Sequence, residues 1–112
     1  MIIRNIVAYT VGATQVRWNR VTGNLLATAH EGDVRLWDWR KGSSPVQYIA
    51  AHLQKIHGLD WSTNQDYQLA TSSQDCTVKF FDVNNPRGEE NALRTVSPVW
   101  RARFTVRVDI IL

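Results

Sequence analysis

The sequence predicts an all-β fold that is built from a repeated four-stranded unit. Trp18 and Trp61 are 43 residues apart. The Trp-Asp pair that begins at Trp37 and the matching Phe-Asp pair that begins at Phe81 are 44 residues apart, so the register slips by one residue, in the turn. A repeat of about 40–45 residues with a Trp-Asp dipeptide is typical of propeller blades. We therefore expect about two complete four-stranded blades with parts of flanking blades, which is a partial β-propeller.

The first blade is assigned to residues 14–50. At its start Val16 and Trp18 fall on one face and Arg17 on the other, which is the alternation of a strand. The next strand is a continuous apolar run, as expected for a sheet that is covered on both faces. The strands predicted in this blade are residues 15–19, 25–28, 34–37 and 46–50.

The second blade is assigned to residues 51–97 and repeats the same order of elements. Its predicted strands are residues 56–61, 68–72, 77–81 and 93–96. Residues 1–13 are assigned to the outer strand of a preceding blade, on the strength of the apolar run at 2–8. Because Phe104 again lies 43 residues after Trp61, residues 98–105 are assigned to the start of the next blade. We expect the three aromatic residues at blade spacing, Trp18, Trp61 and Phe104, to belong to the core rather than to a ligand-stacking platform. Residues 106–112 diverge from the repeat.

Composition excludes several classes of function. Five Trp, three Tyr and three Phe favour strands over helices. The net charge is +3, but no run of Lys or Arg is longer than two residues, so we expect no nucleic-acid groove. We expect no membrane insertion, because the sequence has no apolar run of about 18 residues. The single cysteine, Cys76, cannot form an internal disulfide and fits a reducing compartment, so we expect a soluble intracellular chain.

Several short motifs resemble the WD-repeat family. They are the Trp-Asp pair at Trp37, the Ala-His pair that ends at His52, and the Ser/Thr-rich strand before Asp75. The resemblance covers about residues 14–105. In more detail, segments 26–38, 50–61, 70–75 and 98–105 look like consecutive blades of the WD-repeat subunit of a GATOR-type complex.

This resemblance implies a function and a location. It implies a non-catalytic scaffold whose partners are the propeller and solenoid subunits of a GATOR-type complex. Such a complex promotes TOR signalling in response to amino acids, in the cytoplasm at the cytosolic face of lysosomal or vacuolar membranes. The family member is much longer than this chain, so we expect a fragment. Because repeats bury their faces against neighbours, two blades alone are expected to be marginally stable and prone to association.

The resemblance also implies a structural hydrogen-bonded network in each blade. In the family, a His before the first strand, a Ser or Thr on the second, an Asp in the next turn and a Trp on the third bond to one another. The matching residues are His52, Thr71, Asp75 and Phe81 in the second blade, and Thr28, Glu31 and Trp37 in the first. Phe81 lacks an indole N–H and no His precedes the first blade. We therefore expect both networks to be incomplete and the blades to depend more on packing.

Thr71, His52 and Asp75 also have the residue types of a nucleophilic triad. The structural interpretation is favoured, because a blade buries these side chains between strands without oxyanion donors or a pocket. The histidines at 30, 52 and 57 lack the number and spacing of zinc ligands. We expect no catalytic residue, no metal and no cofactor.

Function is then expected at the surface loops, which a rigid β scaffold holds in place. The candidate partner-binding residues are Trp39, Arg40, Lys41 and His30. Trp39 beside Arg40 has the residue types that are enriched in binding hot spots. The alternative for Trp39 is that it packs against its own outer strand near Tyr48.

A second function remains open from the same segment. Residues 37–40 read Trp-Asp-Trp-Arg, which looks like the Trp-Asp-x-Arg element of substrate receptors in cullin-type ubiquitin ligases. The alternative to a GATOR-type scaffold is therefore a WD-repeat substrate receptor, with Arg40 as the residue that contacts the ligase adaptor.

Overall fold

The structure is a computed structural model, and it describes residues 9–42, 44–65, 67–85, 89–104 and 110–111. Within these residues the chain forms strands and one short 3-10 helix, Trp39–Lys41, which we call η1. The strands are β1 Gln15–Trp18, β2 Leu25–His30, β3 Asp33–Asp38, β4 Gln47–Ala50, β5 Ile56–Trp61, β6 Gln68–Ser73, β7 Thr77–Asp82, β8 Glu89–Arg94, β9 Arg103–Phe104 and β10 Ile110–Ile111.

The strands form two four-stranded antiparallel sheets, which confirms the predicted fold class. The first sheet has the order β1-β2-β3-β4 and the second β5-β6-β7-β8, while β9 pairs with β10. Trp18 pairs with Leu26 in the first sheet, and Trp61 pairs with Leu69 in the second. The two tryptophans therefore occupy the same strand position in the two sheets.

The main core lies between the two sheets. One face of the first sheet supplies Ala27, Val34 and Leu36, and the facing side of the second supplies Trp61 and Leu69, all buried together. The sheets approach each other along β1 and β5, their first strands. Each sheet therefore buries its apolar face only against a neighbouring sheet, as the units of a repeat protein do.

The two hairpin turns explain the one-residue slip between the repeats. The β2–β3 turn has two residues, Glu31 and Gly32, whereas the β6–β7 turn has three and ends with Cys76 at a φ of 68°. Three-residue hairpins commonly place a left-handed residue at this position. Gly32 is required for a different reason, since a Cβ there would lie 2.0 Å from the carbonyl oxygen of His52.

Each of these turns is hydrogen bonded to the segment that follows its own blade. The backbone N–H of His52 donates to the carbonyl of Gly32 at 3.0 Å. One repeat later, the N–H of Thr95 donates to the carbonyl of Cys76 at 2.8 Å. The repeat therefore includes the connection between blades as well as the blades themselves.

The outer strand of the second sheet was placed wrongly by the sequence pattern. We predicted residues 93–96, whereas β8 is Glu89–Arg94 and Val96 is fully exposed. The strand ends at Arg94 because its partner strand β7 begins at Thr77, opposite Arg94. The N–H of Thr95 makes one more bond in the same register, to the carbonyl of Cys76 in the turn.

At the start of the chain, the predicted strand at residues 2–8 lies outside the described residues. The adjacent residues Tyr9 and Thr10 are helical, and the Tyr9 ring stacks on Trp37 with centroids 4.3 Å apart. At the other end, the structure describes only β10 of the divergent residues 106–112.

The expectation that Trp18 belongs to the core is wrong. Trp61 is 1% exposed but Trp18 is 39% exposed. Trp18 lies on the face of the first sheet that carries Leu26 and Trp37, and the second sheet covers the opposite face. The side chain of Phe104, the third predicted core aromatic, lies outside the described part of the chain.

Candidate functional site

His52 lies at the centre of a hydrogen-bonded network in the second sheet. Its ring Nδ1–H donates to Asp75 Oδ2 at 2.7 Å, and its Nε2 is 2.7 Å from Thr71 Oγ1. The three residues come from the segment before β5, from β6 and from the β6–β7 turn. The His52 side chain and Thr71 are completely buried, whereas the Asp75 side chain is 20% exposed.

Thr77 is a member of this network that the sequence analysis did not identify. Its hydroxyl donates to Asp75 Oδ1 and lies 3.2 Å from His52 Nδ1, and its backbone N–H donates to Asp75 Oδ1 at 3.0 Å. An Asp side chain that accepts from the backbone N–H two residues later is a common turn motif. The Asp-x-Thr pattern at residues 75–77 could therefore have identified Thr77 from the sequence. Burial alone raises the pKa of Asp75, but the hydrogen bonds from Thr77 and His52 outweigh it and hold that pKa below its usual value.

Phe81 occupies the position in the second sheet that Trp37 occupies in the first. Phe81 pairs with Leu69 and is 4% exposed, so it contributes packing. In the first sheet, the indole N–H of Trp37 donates to Thr28 Oγ1 at 2.9 Å. Phe81 has no indole N–H, so it does not donate the corresponding hydrogen bond to Thr71.

His30 joins the network of the first sheet, although we predicted it as a partner-binding residue. Its Nε2 lies 2.8 Å from Thr28 Oγ1, so an imidazole at the end of β2 completes a Trp37–Thr28–His30 chain. Glu31 is not part of it. Glu31 is exposed in the β2–β3 turn at a φ of 56°, and its backbone carbonyl accepts from the N–H of Ile56 at 2.7 Å.

The stability of the chain should depend on pH through His30. Burial lowers the pKa of His30 below 6.5, and the charge of Arg35 lowers it further, against smaller opposing effects of Asp33 and the Gly12 backbone. The unfolded state then binds a proton more readily than the folded state. The contribution of neutral His30 to the free energy of unfolding is therefore complete above about pH 6.5 and declines as the pH falls.

We expect the free energy of unfolding to fall between about pH 7.5 and 5.5, and to fall less in the His30→Gln variant. Urea titrations at each pH measure this difference. His57→Gln is the matched control, because His57 is also half-buried but bonds only the Gln74 side chain, at 2.7 Å. Equal pH slopes for the wild type and His30→Gln would contradict the prediction.

The geometry around Thr71 supports a structural role. Thr71 is completely buried in the central part of the second sheet, with β5 on one side and β7 on the other. A substrate carbonyl has no access to its hydroxyl there, and geometry rather than residue inventory defines a triad. Among the residues that the structure describes, no cluster of three or more His, Cys, Asp or Glu could hold a metal ion.

The predicted surface at residues 39–41 is ordered by Asp38, which caps η1. Asp38 Oδ1 accepts from the backbone N–H of Arg40 at 3.0 Å and from its Nε at 3.1 Å, while Oδ2 accepts from the Arg40 Nη2 at 2.9 Å. These bonds from Arg40 hold the pKa of Asp38 at about 2. The Arg40 guanidinium is therefore fixed in direction while it and Lys41 stay exposed.

Trp39 is half-buried and therefore offers part of its ring at the surface. Tyr48, near which the alternative places Trp39, is 61% exposed, and the Arg35 guanidinium lies 5.6 Å from its ring centroid. An exposed aromatic ring under a cation is stabilised by about 0.5–1 kcal/mol. Trp39, Arg40 and Lys41 thus form one short surface segment.

A salt bridge between the sheets was also missed by the sequence analysis. Arg20 Nη2, in the β1–β2 turn, lies 2.8 Å from Asp60 Oδ1 on β5, and the Asp60 side chain is 3% exposed. A hydrogen bond to a buried charged group contributes about 1.5–3 kcal/mol. This pair therefore helps to fix the angle between the first and second sheets.

The WD domain, G-beta repeat family matches residues 43–82. That unit contributes β4 of the first sheet together with β5, β6 and β7 of the second, so it links two sheets rather than filling one. GATOR2 complex protein Wdr59 of Drosophila melanogaster is 63% identical to the chain over 94 residues, which is 84% of this chain. The chain belongs to the WD40-repeat family.

A second WD40 relative and a solved propeller agree with this assignment. The human GATOR2 complex protein WDR59 is 57% identical over 94 residues, again 84% of this chain. The chain spans about 10% of the length of both curated relatives. The solved β-propeller domain of Cps50 (Swd1) from Myceliophteria thermophila matches 83% of this chain and 29% of its own, with a TM-score of 0.75 and 26% identity.

The fit to a WD40 propeller extends to the arrangement of the two sheets. Two features repeat with the WD40 period: the hydrogen bonds from each turn to the following segment, and the strand positions of Trp18 and Trp61. The two sheets also pack on one shared core. None of the relatives named here carries the name of an enzyme. Within the described part of the chain, no helix is long and apolar enough to cross a membrane.

Proposed function

We propose that this chain is a blade segment of a non-catalytic scaffold subunit in a GATOR-type complex, and that the complex promotes TOR signalling in response to amino acids. Its partners are other proteins, namely the propeller and solenoid subunits of that complex. Its place is the cytoplasm, at the cytosolic face of lysosomal or vacuolar membranes.

One observation carries the proposal. The 63% identity to Drosophila GATOR2 complex protein Wdr59 extends over 94 residues, which is far more than a single repeat. A WD40 blade needs only a scattered set of apolar and network positions to fold. Identity at this level therefore includes residues on the surface, where a scaffold contacts its partners.

The surface segment Trp39, Arg40 and Lys41 is the part of the chain best suited to such contacts. Its backbone is fixed by the Asp38 cap, its two cations are exposed, and its aromatic ring is half-buried. A preorganised aromatic-arginine pair loses little conformational entropy on binding. We therefore expect Trp39→Ala and Arg40→Ala to weaken partner capture while the fold is retained.

A chimeric protein tests the proposal. In Drosophila cells that lack Wdr59, the segment of Wdr59 that matches this chain is replaced by the residues of this chain. We expect the chimera to co-purify with the other GATOR2 subunits and to restore amino-acid-dependent phosphorylation of TOR substrates. Mass spectrometry of the captured proteins and phosphorylation blots measure the two effects.

The same chimera with Trp61→Ala is the structural control, because this change disrupts the contact between the sheets and should abolish both effects. A chimera that is expressed at the normal level but captures no GATOR2 subunit would refute the proposal. Capture of a cullin adaptor that is lost with Arg40→Ala would instead favour the ubiquitin-ligase receptor.

A further inference from the structure

A cleft of about 240 Å³ opens where β1 and β5 meet the segment before β9. β1 contributes Arg17, β5 contributes His57 and Gly58, and the following segment contributes Trp100 and Arg101. In a propeller, the blades surround a central channel. Because the two sheets approach each other along β1 and β5, the cleft lies on the side of the chain where that channel would run.

The cleft is lined by uncompensated positive charge. Arg17 and Arg101 are both exposed, and none of the described residues that line the cleft is acidic. Arg20 and Arg40, in contrast, are paired with carboxylates. Among the described residues, neither Arg17 nor Arg101 has a carboxylate within salt-bridge distance. Two arginines from different segments thus line the same cleft, and the Arg17 Nη1 donates only to a neutral group there, the Val16 carbonyl at 3.0 Å. Two positive charges at one cleft favour an anionic ligand.

The aromatic wall of the cleft is preformed. Trp100 is 70% exposed, and its ring stacks on the His57 imidazole with centroids 4.1 Å apart and planes 20° apart. His57 Nε2 in turn bonds Gln74 Oε1 at 2.7 Å. Gly58 allows this approach, because a Cβ there would lie 3.1 Å from the Trp100 carbonyl oxygen and 2.5 Å from Ser72 Oγ.

A second, mainly apolar groove of about 340 Å³ lies on the other side of Trp100 and Arg101. Pro98 and Val99 are among the residues that line it. Trp100 and Arg101 line both sites, so the two sites are neighbours and a ligand that contacts both must be elongated. Its anionic group would contact the arginines, and its apolar group would contact the indole and the apolar groove.

We propose that this pair of clefts binds a peptide segment of a partner protein in which acidic residues flank an apolar residue. A nucleic acid is disfavoured, because a cleft of this size holds one or two side chains and offers only two arginines for successive phosphates. The site depends only on residues of this chain. It stands whether or not the chain acts in a GATOR-type complex.

Fluorescence anisotropy with the 112-residue chain tests this site directly. The probe is a fluorescein-labelled ten-residue peptide with two Glu on either side of a Leu, in a Gly-Ser background. The matched peptide has Gln in place of every Glu. We expect saturable binding of the acidic peptide that weakens as salt is added, and binding of the Gln peptide that is about tenfold weaker or absent.

Arg17→Glu and Arg101→Glu should each weaken the acidic peptide about tenfold or more, because they place like charges together. Lys55→Glu makes the same change in net charge at an exposed residue that lines neither cleft, so it should bind as the wild type does. Arg17→Gln and Arg101→Gln remove the charge with less disturbance, and circular dichroism checks that all variants fold. On the wild-type chain, NMR shifts should centre on Gly58 and the Trp100 indole.

Three results would overturn the proposal. The first is equal affinity for the Glu and Gln peptides, and the second is an equal loss in Lys55→Glu, which would mean unspecific attraction. The third is tighter binding of a ten-nucleotide single strand than of the acidic peptide, in which case the surface binds nucleic acid.

Discussion

Replacing Trp61 with Ala is expected to lower the free energy of unfolding by about 3–5 kcal/mol, the range for large aromatic truncations in a core. Trp61 is 1% exposed in the core that both sheets share. Its indole N–H also donates to the backbone carbonyl of Arg17, on the first sheet, at 3.0 Å. The change therefore opens a cavity between the sheets and leaves that carbonyl without this donor. Urea unfolding followed by far-ultraviolet circular dichroism measures the loss.

Trp18→Ala is the matched control, because Trp18 holds the same position in β1 that Trp61 holds in β5. With 39% of its surface exposed, Trp18 should contribute much less, about 1 kcal/mol. Trp61→Phe keeps most of the packing and isolates the indole hydrogen bond, at about 1 kcal/mol. Equal losses for Trp18→Ala and Trp61→Ala would show that the sheets are not held together at Trp61.

The pair of tryptophans also shows what the sequence can and cannot predict. Their spacing located β1 and β5 correctly, because a strand position recurs whenever its backbone register recurs. The spacing did not predict whether each tryptophan is buried, because burial depends on whether another sheet covers that face of the strand. The first sheet covers Trp61 on β5, whereas Trp18 lies on the face of the first sheet that points away from the second.

The network residues show the same division. A local motif identified Asp75, because an Asp in a tight turn has a characteristic sequence context. His30 was expected at the surface, because the family places the histidine before the first strand and none occurs there. Its bond to Thr28 joins two residues that are two positions apart in β2 and therefore share a face of the strand, so strand alternation was the available signal. Thr77 could have been found from its position two residues after Asp75.

The surface clefts could not be predicted at all. Arg17 and Arg101 are 84 residues apart in sequence and have no motif in common. They line one cleft only because β1 and β5 are adjacent and the chain returns along β5 after the second sheet. Binding surfaces of this kind are formed by tertiary packing, which a periodic pattern does not specify.

His52→Ala is the second change with a large expected effect. The His52 side chain is completely buried, and it bonds Asp75 and Thr71 at 2.7 Å each. Its removal takes one hydrogen bond from the buried Thr71 hydroxyl and one from Asp75, which keeps its bonds from Thr77, and leaves a cavity. We expect a total loss of about 2–3 kcal/mol. Urea unfolding measures it. His57→Ala is the control, since a half-buried imidazole that bonds Gln74 and stacks on the exposed Trp100 ring should cost only about 1 kcal/mol.

A double-mutant cycle with Asp75→Asn then tests whether these residues act as a network. If they do, the loss in the double variant is smaller than the sum of the single losses by about 0.5–3 kcal/mol. The coupling should also depend on pH. The folded-state pKa of Asp75 is lowered from 3.8, so its contribution is present above about pH 3.8 and is lost as the pH falls further. Additive losses at neutral pH would mean that His52 acts by packing alone, and a coupling that persists unchanged in acid would mean that the Asp75 charge has no part in it.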